Sequence, residues 1–246
     1  MNKEEIFQQI RGKLIVSCQA NEEENPFNPP EEMTRMAQAA AIGGCAGFRA
    51  NRPENVQMIK EAFPDKVMIG IWKVETEGCD VYITPTMKEV EVLREIGSDI
   101  IAVDGTDRLN CNGRKAYELI REIKEKYPDQ VVMADIATIN DARLCVQAGA
   151  DIISTTLSGY TADSLDRYAL GADFELIEQI RKEFPEVFIN AEGRIWTREE
   201  AKKAYECGAD VIVVGTAITN PMSITKRFVD YIKKKAWRIC RPNLKE

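Results

Sequence analysis

A short phrase that occurs three times constrains the fold of this chain most strongly. The pattern Gly-x-Asp-(Ile/Val)-Ile is found at residues 97–101, 149–153 and 208–212. In each copy the glycine ends a predicted helix and a short turn leads into an apolar strand, so the phrase marks a repeated supersecondary unit. The strands are apolar throughout rather than at alternate positions, which is typical of a parallel sheet buried on both faces.

Eight such strands alternate with helices along the 246 residues. The strands are predicted at residues 14–18, 46–49, 67–73, 99–104, 131–135, 151–155, 187–191 and 210–214. The helices are predicted at residues 3–11, 31–42, 53–63, 86–96, 114–127, 140–148, 174–184, 197–207 and 221–235. Eight βα units in about 250 residues have the size of a (β/α)8 TIM barrel.

We therefore predict an α/β fold with a single TIM-barrel domain over residues 1–236, which begins with a short N-terminal helix. Residues 237–246 are predicted to form a C-terminal extension. A doubly wound open sheet is the alternative fold. It is disfavoured because no Gly-x-Gly-x-x-Gly phrase follows the first strand.

The composition excludes several classes of function. The net charge is −7 and the pI is about 5.0, so neither nucleic acid nor a membrane surface is an expected partner. No apolar run could span a bilayer, and the N-terminus lacks a signal core. The seven cysteines include no Cys-x-x-Cys pair, which indicates reduced thiols in a cytoplasmic protein. Histidine is absent, which excludes Ser-His-Asp catalysis and histidine metal sites.

Polar residues stand where the predicted strands end, whereas the strand interiors are apolar. The carboxyl ends of the strands form the active-site face of a TIM barrel, so we predict that these residues line a polar pocket, in which Thr155 contacts a substrate. The residues are Gln19, Arg49, Lys73, Asp104, Asp135, Thr155, Thr156, Glu192, Gly193, Arg194, Gly215 and Thr216.

Lys73 and Glu192 are the predicted acid/base pair of this pocket, with Asp135 as a third candidate. An ammonium group is rarely buried without a partner. Partial burial and the charge of Arg49 would both lower the pKa of Lys73, which would let its amine accept a proton near neutral pH. The alternative interpretation is a structural ion pair of Lys73 with Glu192 or Asp135.

The ends of the last two strands predict a phosphate site. TIM barrels often bind phosphate between the loops after strands seven and eight, through backbone N–H groups. Gly193 and Gly215 would let the backbone approach an anion closely, while Thr216 offers a hydroxyl donor and Arg194 a guanidinium. The alternative is that the glycines only permit tight turns.

Eight segments of the chain, taken in order, form a pattern found in a known family. They are IVSCQA at 15–20, FRAN at 48–51, IGIWK at 69–73, VYITPT at 81–86, MADI at 133–136, TTLSGYT at 155–161, AEGRI at 191–195 and VGTAIT at 214–219. Together they resemble the N-acylglucosamine-6-phosphate 2-epimerases, and the resemblance runs from Gly12 to Ile232.

The resemblance implies a TIM-barrel enzyme that interconverts N-acetylmannosamine 6-phosphate and N-acetylglucosamine 6-phosphate in bacterial sialic acid breakdown. It implies proton transfer at C2 with no metal and no organic cofactor. The family's catalytic residues fall on Lys73 and Glu192. Its substrate-holding residues fall on Gln19, Arg49 and Asp135, and its phosphate loop falls on Gly193, Arg194, Gly215 and Thr216.

Two other functions are compatible with the same barrel. A phosphate-binding lyase or transferase would share the glycine loops but would need other reacting groups. A non-catalytic phosphosugar-binding protein would not require Lys73 and Glu192 together.

The residues Val74-Glu75 depart from the family pattern, in which an arginine often follows the lysine. The sequence leaves open whether one or two bases move the proton and whether the chain forms a homodimer.

Overall fold

Eight parallel strands close into a barrel in the order of the sequence, as predicted. This computed structural model describes residues 1–19 and 26–240. The final helix continues to Cys240, so it includes the first residues of the extension predicted to begin at residue 237. Residues 241–246 of that extension lie outside the described residues. No helix within the described ranges combines the length and the apolar character needed to cross a membrane.

The elements lie close to their predicted positions. The strands are β1 Leu14–Cys18, β2 Gly47–Asn51, β3 Val67–Ile71, β4 Ile100–Asp104, β5 Val131–Asp135, β6 Ile152–Ser154, β7 Phe188–Glu192 and β8 Val211–Val214. The helices are α1 Lys3–Ile10, α2 Pro30–Ile42, α3 Pro53–Ala62, α4 Met87–Glu95, α5 Ala116–Lys126, α6 Ile139–Ala148, α7 Phe174–Glu183, α8 Arg198–Glu206, α9 Thr216–Thr219 and α10 Pro221–Cys240. Two 3₁₀ segments, Thr155–Leu157 and Ala162–Leu170, follow β6.

Four strand ends differ from the prediction. Strand β7 continues one residue further than predicted, to Glu192. Strand β2 continues to Asn51, so Arg49 lies inside the strand and not at its end. Its charge is tolerated there because carboxylates on other strands pair with it. Strand β3 stops at Ile71, so Lys73 lies just beyond it. Strand β6 stops at Ser154, because Thr155 already begins a 3₁₀ turn.

Alternate residues of each strand point into the barrel, where their apolar side chains form an inner core. Ile69, Ile100 and Met133 belong to this core and are fully buried. Helix α1 closes the bottom of the barrel with Ile6, Phe7 and Ile10, and the Phe7 ring stacks on Phe188 with 4.1 Å between centroids. The other strand face packs against the outer helices in a second apolar layer. In the described part of the chain, the interior of the barrel therefore becomes polar toward its upper end, where the strands finish.

The aspartate of the repeated phrase has the same structural role in each copy. Asp99, Asp151 and Asp210 accept a hydrogen bond from the backbone N–H of the preceding strand, at 2.8, 2.9 and 2.9 Å respectively. Each aspartate also forms an ion pair with a cation of an outer helix. These cations are Lys60 of α3, Lys124 of α5 and Arg181 of α7. Each aspartate lies at the start of its own strand. It therefore links that strand to the preceding strand and to the helix that comes before the preceding strand.

Replacing Asp151 by asparagine should destabilise the fold. The carboxylate of Asp151 is 5% exposed and accepts from Lys124, Lys3 and the Val132 N–H, and an amide would leave two ammonium groups without their anion. Charge-assisted hydrogen bonds of this kind contribute about 1.5–3 kcal/mol, so we expect the free energy of unfolding in urea to fall by about that amount. Glu183→Gln, which removes the surface pair with Arg143, is the control and should change little. Equal effects in the two variants would contradict this role.

Candidate active site

A cavity of about 580 Å³ opens at the carboxyl ends of the strands. Most of the predicted site residues line it together, although they come from five different strands or strand ends. They are Gln19, Arg49, Lys73, Glu192, Gly193, Arg194, Gly215 and Thr216. The volume lies within the range of about 300–1,000 Å³ that is typical of small-molecule sites.

Arg49 is the centre of the polar floor of this cavity. Its guanidinium is 1% exposed and binds both carboxylate oxygens of Asp135, at 3.0 and 2.6 Å. Its Nη1 also donates to Oε2 of Glu192 at 2.7 Å. Arg49, Asp135 and Glu192 point into the barrel because each occupies an inward position of β2, β5 or β7. One buried cation therefore holds two carboxylates from different strands.

A set of neutral groups completes the network around Glu192. The hydroxyl of Thr156 donates to Asp135 at 2.8 Å and lies 3.2 Å from Oε2 of Glu192. Asn190 donates to Ser154 at 2.7 Å and to Glu192 at 3.3 Å. Sequence reasoning missed Ser154 and Asn190. The sequence did offer a signal: both residues are polar within apolar strands. Each lies two positions after an inward-facing residue, and alternate residues of a strand face the same side.

The pKa of Glu192 is raised above that of an ordinary glutamate. Burial is the main cause, because it penalises the charged form, and the negative charge of Asp135 adds to it. Arg49, the hydroxyl of Thr156 and the charge of Lys73 oppose the rise. For Arg49, burial lowers the pKa, but the two carboxylates more than compensate and raise it above its usual value. Arg49 therefore stays charged, whereas burial favours the neutral form of the Glu192 carboxyl.

Lys73 approaches the cavity from β3, which lies opposite β7 in the eight-stranded ring. Its backbone N–H donates to Oδ1 of Asn51 at 2.9 Å, and its backbone pairs with Ile83 in an antiparallel bridge. The charge of Lys73 reaches Glu192, whose pKa it lowers. The amine and the carboxylate therefore face one cavity from opposite walls.

Three predicted residues lie behind the cavity wall. Asp135 is fully buried beneath Arg49. The hydroxyl of Thr155 points away from the cavity and pairs with the backbone of Glu192, donating to its oxygen at 3.0 Å, while Thr156 lines the cavity instead. Asp104 binds Arg108 at 2.8 Å beside a separate small pocket. Cys18, on the outward face of β1, is fully buried and burial raises its pKa to about 12, which suits a core residue.

The loops after β7 and β8 form one end of the cavity. Gly193 has a φ of 102°, which favours glycine, and Gly215 caps the short helix α9. A Cβ at Gly215 would lie 3.2 Å from Cβ of Ser17, so the chain passes close to β1 here. Arg194 donates to the carbonyls of Gly171, at 2.6 Å, and Ser158. This arginine therefore also holds the 3₁₀ segments against the cavity.

Fold and site define a (β/α)8-barrel protein whose upper mouth gathers an amine, two carboxylates and a buried guanidinium. Residues 33–234 match the family model described as "Putative N-acetylmannosamine-6-phosphate epimerase". This chain belongs to the N-acetylmannosamine-6-phosphate epimerase family.

Individual relatives match over nearly the whole chain. A protein of Caldanaerobacter subterraneus subsp. tengcongensis, named "Putative N-acetylmannosamine-6-phosphate 2-epimerase", is 48% identical over 95% of this chain and 96% of its own length. A protein of Clostridioides difficile with the same name is 43% identical over 93% of this chain and 99% of its own. The solved N-acetylmannosamine-6-phosphate 2-epimerase from Clostridium perfringens superposes with a TM-score of 0.85 at 41% identity, covering 92% of this chain and 95% of that one.

Replacing Asp135 by asparagine should lower the pKa of Glu192. The change removes a negative neighbour that raises this pKa, and it leaves the Arg49 guanidinium to pair with Glu192 alone. The measurement is a carbon-13 NMR titration of the Glu192 carboxyl, in which the midpoint should move to lower pH. Asp104→Asn is the matched control, since Asp104 lies beside Asp135 in the β4–β5 register but pairs with Arg108. An unchanged or higher midpoint in the Asp135 variant would contradict this account of the network.

Proposed function

We propose that this chain interconverts N-acetylmannosamine 6-phosphate and N-acetylglucosamine 6-phosphate by moving a proton at C2, as a step in sialic acid and amino sugar breakdown. The observation that carries the proposal is the approach of Lys73 and Glu192 to one cavity from opposite walls, in a chain of this family. The chemistry needs no metal and no organic cofactor, because both groups can move protons directly.

Lys73 is the proposed base. In the open-chain sugar the C1 aldehyde acidifies the proton at C2, so an amine can remove it. Once protonated, the Lys73 ammonium can stabilise the negative charge that develops on the sugar oxygens.

Glu192 is the proposed complementary acid. Its raised pKa lets the carboxyl carry a proton at a pH where an ordinary glutamate is ionised. Its position is fixed by Arg49 at 2.7 Å and by Asn190. The carboxyl can therefore present a proton to the sugar from the wall opposite Lys73. Gln19, Arg49 and Thr156 complete the proposed substrate-holding set at the cavity surface. Asp135 and Thr155 support this set from behind, through Arg49 and the backbone of Glu192.

The phosphate is proposed to bind at the end of the cavity formed by the loops after β7 and β8. Gly193 and Gly215 line this end, and the hydroxyl of Thr216 is exposed there. Backbone N–H groups at such a loop attract an anion. Arg194 adds positive charge while two of its N–H groups hold the 3₁₀ segments. Binding the phosphate here would place the sugar carbons between Lys73 and Glu192.

A homodimer is the proposed assembly, and helix α10 is its proposed contact. In a TIM barrel the helix after the eighth strand completes the outer ring of helices. Here α10 packs mainly against α9, and the apolar side chains of Phe228 and Ile232 are 66% and 58% exposed. On the neighbouring helices α8 and α2, Ala201 and Met36 are partly buried apolar residues.

A second copy of this chain fits that position better than an unrelated partner. Each copy carries both an exposed apolar helix and a ring position of matching character, so a twofold exchange satisfies both copies at once. Helix α10 also carries the cation Arg227, while α2 and α8 have acidic residues in their first turns.

We further propose a cytoplasmic location, because the six cysteines whose side chains the structure describes are all free.

Incubating the wild-type protein with N-acetylmannosamine 6-phosphate in D₂O should yield N-acetylglucosamine 6-phosphate that carries deuterium at C2, as measured by proton NMR. Lys73→Ala should lower the turnover number by on the order of 10²–10⁴-fold, as expected for loss of a general base. Its affinity for the phosphosugar, measured by calorimetry, should change little. Lys13→Ala is the control, because Lys13 is exposed at the opposite end of the barrel.

Other outcomes of this experiment would reject parts of the proposal. Product without deuterium at C2 would reject proton exchange, and near-normal activity of the Lys73 variant would remove Lys73 from its role. Cleavage or transfer products would indicate a lyase or transferase. Binding without exchange would indicate a phosphosugar-binding protein.

The double variant Phe228→Glu/Ile232→Glu should be monomeric, because it places two charges on the apolar face of α10. Sedimentation-velocity measurements should give twice the monomer mass for the wild type and the monomer mass for the variant. Lys226→Gln, which changes an exposed polar side chain of the same helix, is the control and should stay dimeric. A monomeric wild type, or a dimeric double variant, would contradict this assembly.

A further inference from the structure

The position of Lys73 is set by contacts outside the regular sheet. Strand β3 ends at Ile71, and the chain then turns away, so Lys73 has no place in the ladder between β2 and β3. A long side chain on an unsupported loop would sample many positions. A base must be held within hydrogen-bond reach of the proton that it removes. The backbone of Lys73 must therefore be fixed by contacts other than the ladder.

The first support is a side chain that replaces a missing ladder bond. The Arg52 N–H donates to Ile71 O at 3.0 Å, which continues the parallel ladder. In that ladder the Lys73 N–H would next bond to the carbonyl of Arg52. Arg52, however, has a φ of 77° and turns into α3. Oδ1 of Asn51 accepts from the Lys73 N–H instead, at 2.9 Å.

Asn51 is itself well anchored for this task. It is 4% exposed, and its carbonyl accepts from the Asn55 side chain in the first turn of α3 at 2.8 Å. Asn51 does not belong to the lining of the cavity. Its amide therefore acts on the chemistry through the backbone of Lys73.

The second support comes from the returning arm of the chain. Residues 72–84 fold back on themselves, and the Lys73–Ile83 bridge joins the two arms. Thr84 closes the loop: its hydroxyl accepts from the Trp72 N–H at 3.1 Å, and its own N–H donates to Trp72 O at 2.9 Å. The Ile83 carbonyl in turn accepts from the Asp104 N–H at 2.9 Å, which ties the loop to β4.

Thr84 adopts a backbone conformation that its residue type disfavours. Its φ is 45°, in the left-handed region, and β-branched residues rarely occur there. Such strained residues cluster at functional sites, where the surrounding structure imposes them. Thr84 is fully buried and, like Asn51, lies outside the cavity lining. The strain is therefore associated with the contact to Trp72, next to Lys73, and not with contact to a ligand.

We propose that Asn51 and Thr84 are positioning residues for Lys73. Asn51 holds the lysine backbone from the β2 side, and Thr84 holds it from the β4 side through Trp72. Together they aim the amine across the barrel at Glu192. This inference rests on the proposed function, because the position of the Lys73 amine matters for catalysis only if Lys73 is the base.

The test compares two pairs of variants in the C2-exchange assay. Asn51→Leu removes the acceptor for the Lys73 N–H, whereas Asn51→Asp keeps it. Thr84→Ala removes the hydroxyl that accepts from Trp72, whereas Thr84→Ser keeps it. Since a displacement of about 1 Å can cost about 100-fold in rate, we expect Asn51→Leu and Thr84→Ala to lower kcat by about 10- to 100-fold, with KM within about threefold of wild type. Asn51→Asp and Thr84→Ser should keep most of the wild-type kcat.

The values of kcat are compared on the plateau of each pH profile, so that the charge added by Asn51→Asp does not enter the comparison. Thermal unfolding by circular dichroism verifies that each variant is folded. Wild-type kcat in Asn51→Leu and Thr84→Ala would overturn the inference, and so would equal losses within each pair. If the wild type itself gives no exchange at C2, the proposed function fails instead.

Discussion

The site depends on one buried ionic network, in which the Arg49 guanidinium holds Asp135 and Glu192 inside the barrel. Taking charges out of water costs several kcal/mol per ion, and close contact with hydrogen bonds must offset that cost. Asp135 occupies two donors of Arg49, so Glu192 shares a cation that is already paired. Burial and the negative charge of Asp135 raise the pKa of Glu192, and its contact with Arg49 offsets only part of that rise.

The barrel gives this network its surroundings. Below it, the inner core and the stacked rings of Phe7 and Phe188 keep water out, which strengthens every electrostatic contact above. Above it, side chains that alternate in direction along each strand place polar residues inside the barrel at one level. The 3₁₀ segments and the loops after β7 and β8 close the sides. The polar groups can therefore interact with a ligand only through the mouth of the barrel.

Sequence reasoning was most successful where local patterns decide. The apolar strands and the repeated phrase predicted the barrel, and the strand ends predicted the charged side chains that line the cavity. It was less successful where a single residue shifts the pattern. Thr155 begins a 3₁₀ turn, so its hydroxyl faces the backbone and Thr156 faces the cavity. Two donor groups of Arg194 bind the carbonyls of Ser158 and Gly171, which lie more than twenty residues earlier in the chain. No local sequence pattern predicts such a contact.

The sequence by itself determined the barrel, because the period of apolar residues and the turn residues act within each βα unit. It also determined which polar residues stand near the strand ends. Only the tertiary structure decided which of them pair. Arg49 is separated by 86 residues from Asp135 and by 143 residues from Glu192, and their contact requires eight strands to close into a ring. Charge pairing over such distances depends on strand register, which is a property of the closed sheet and not of any segment alone.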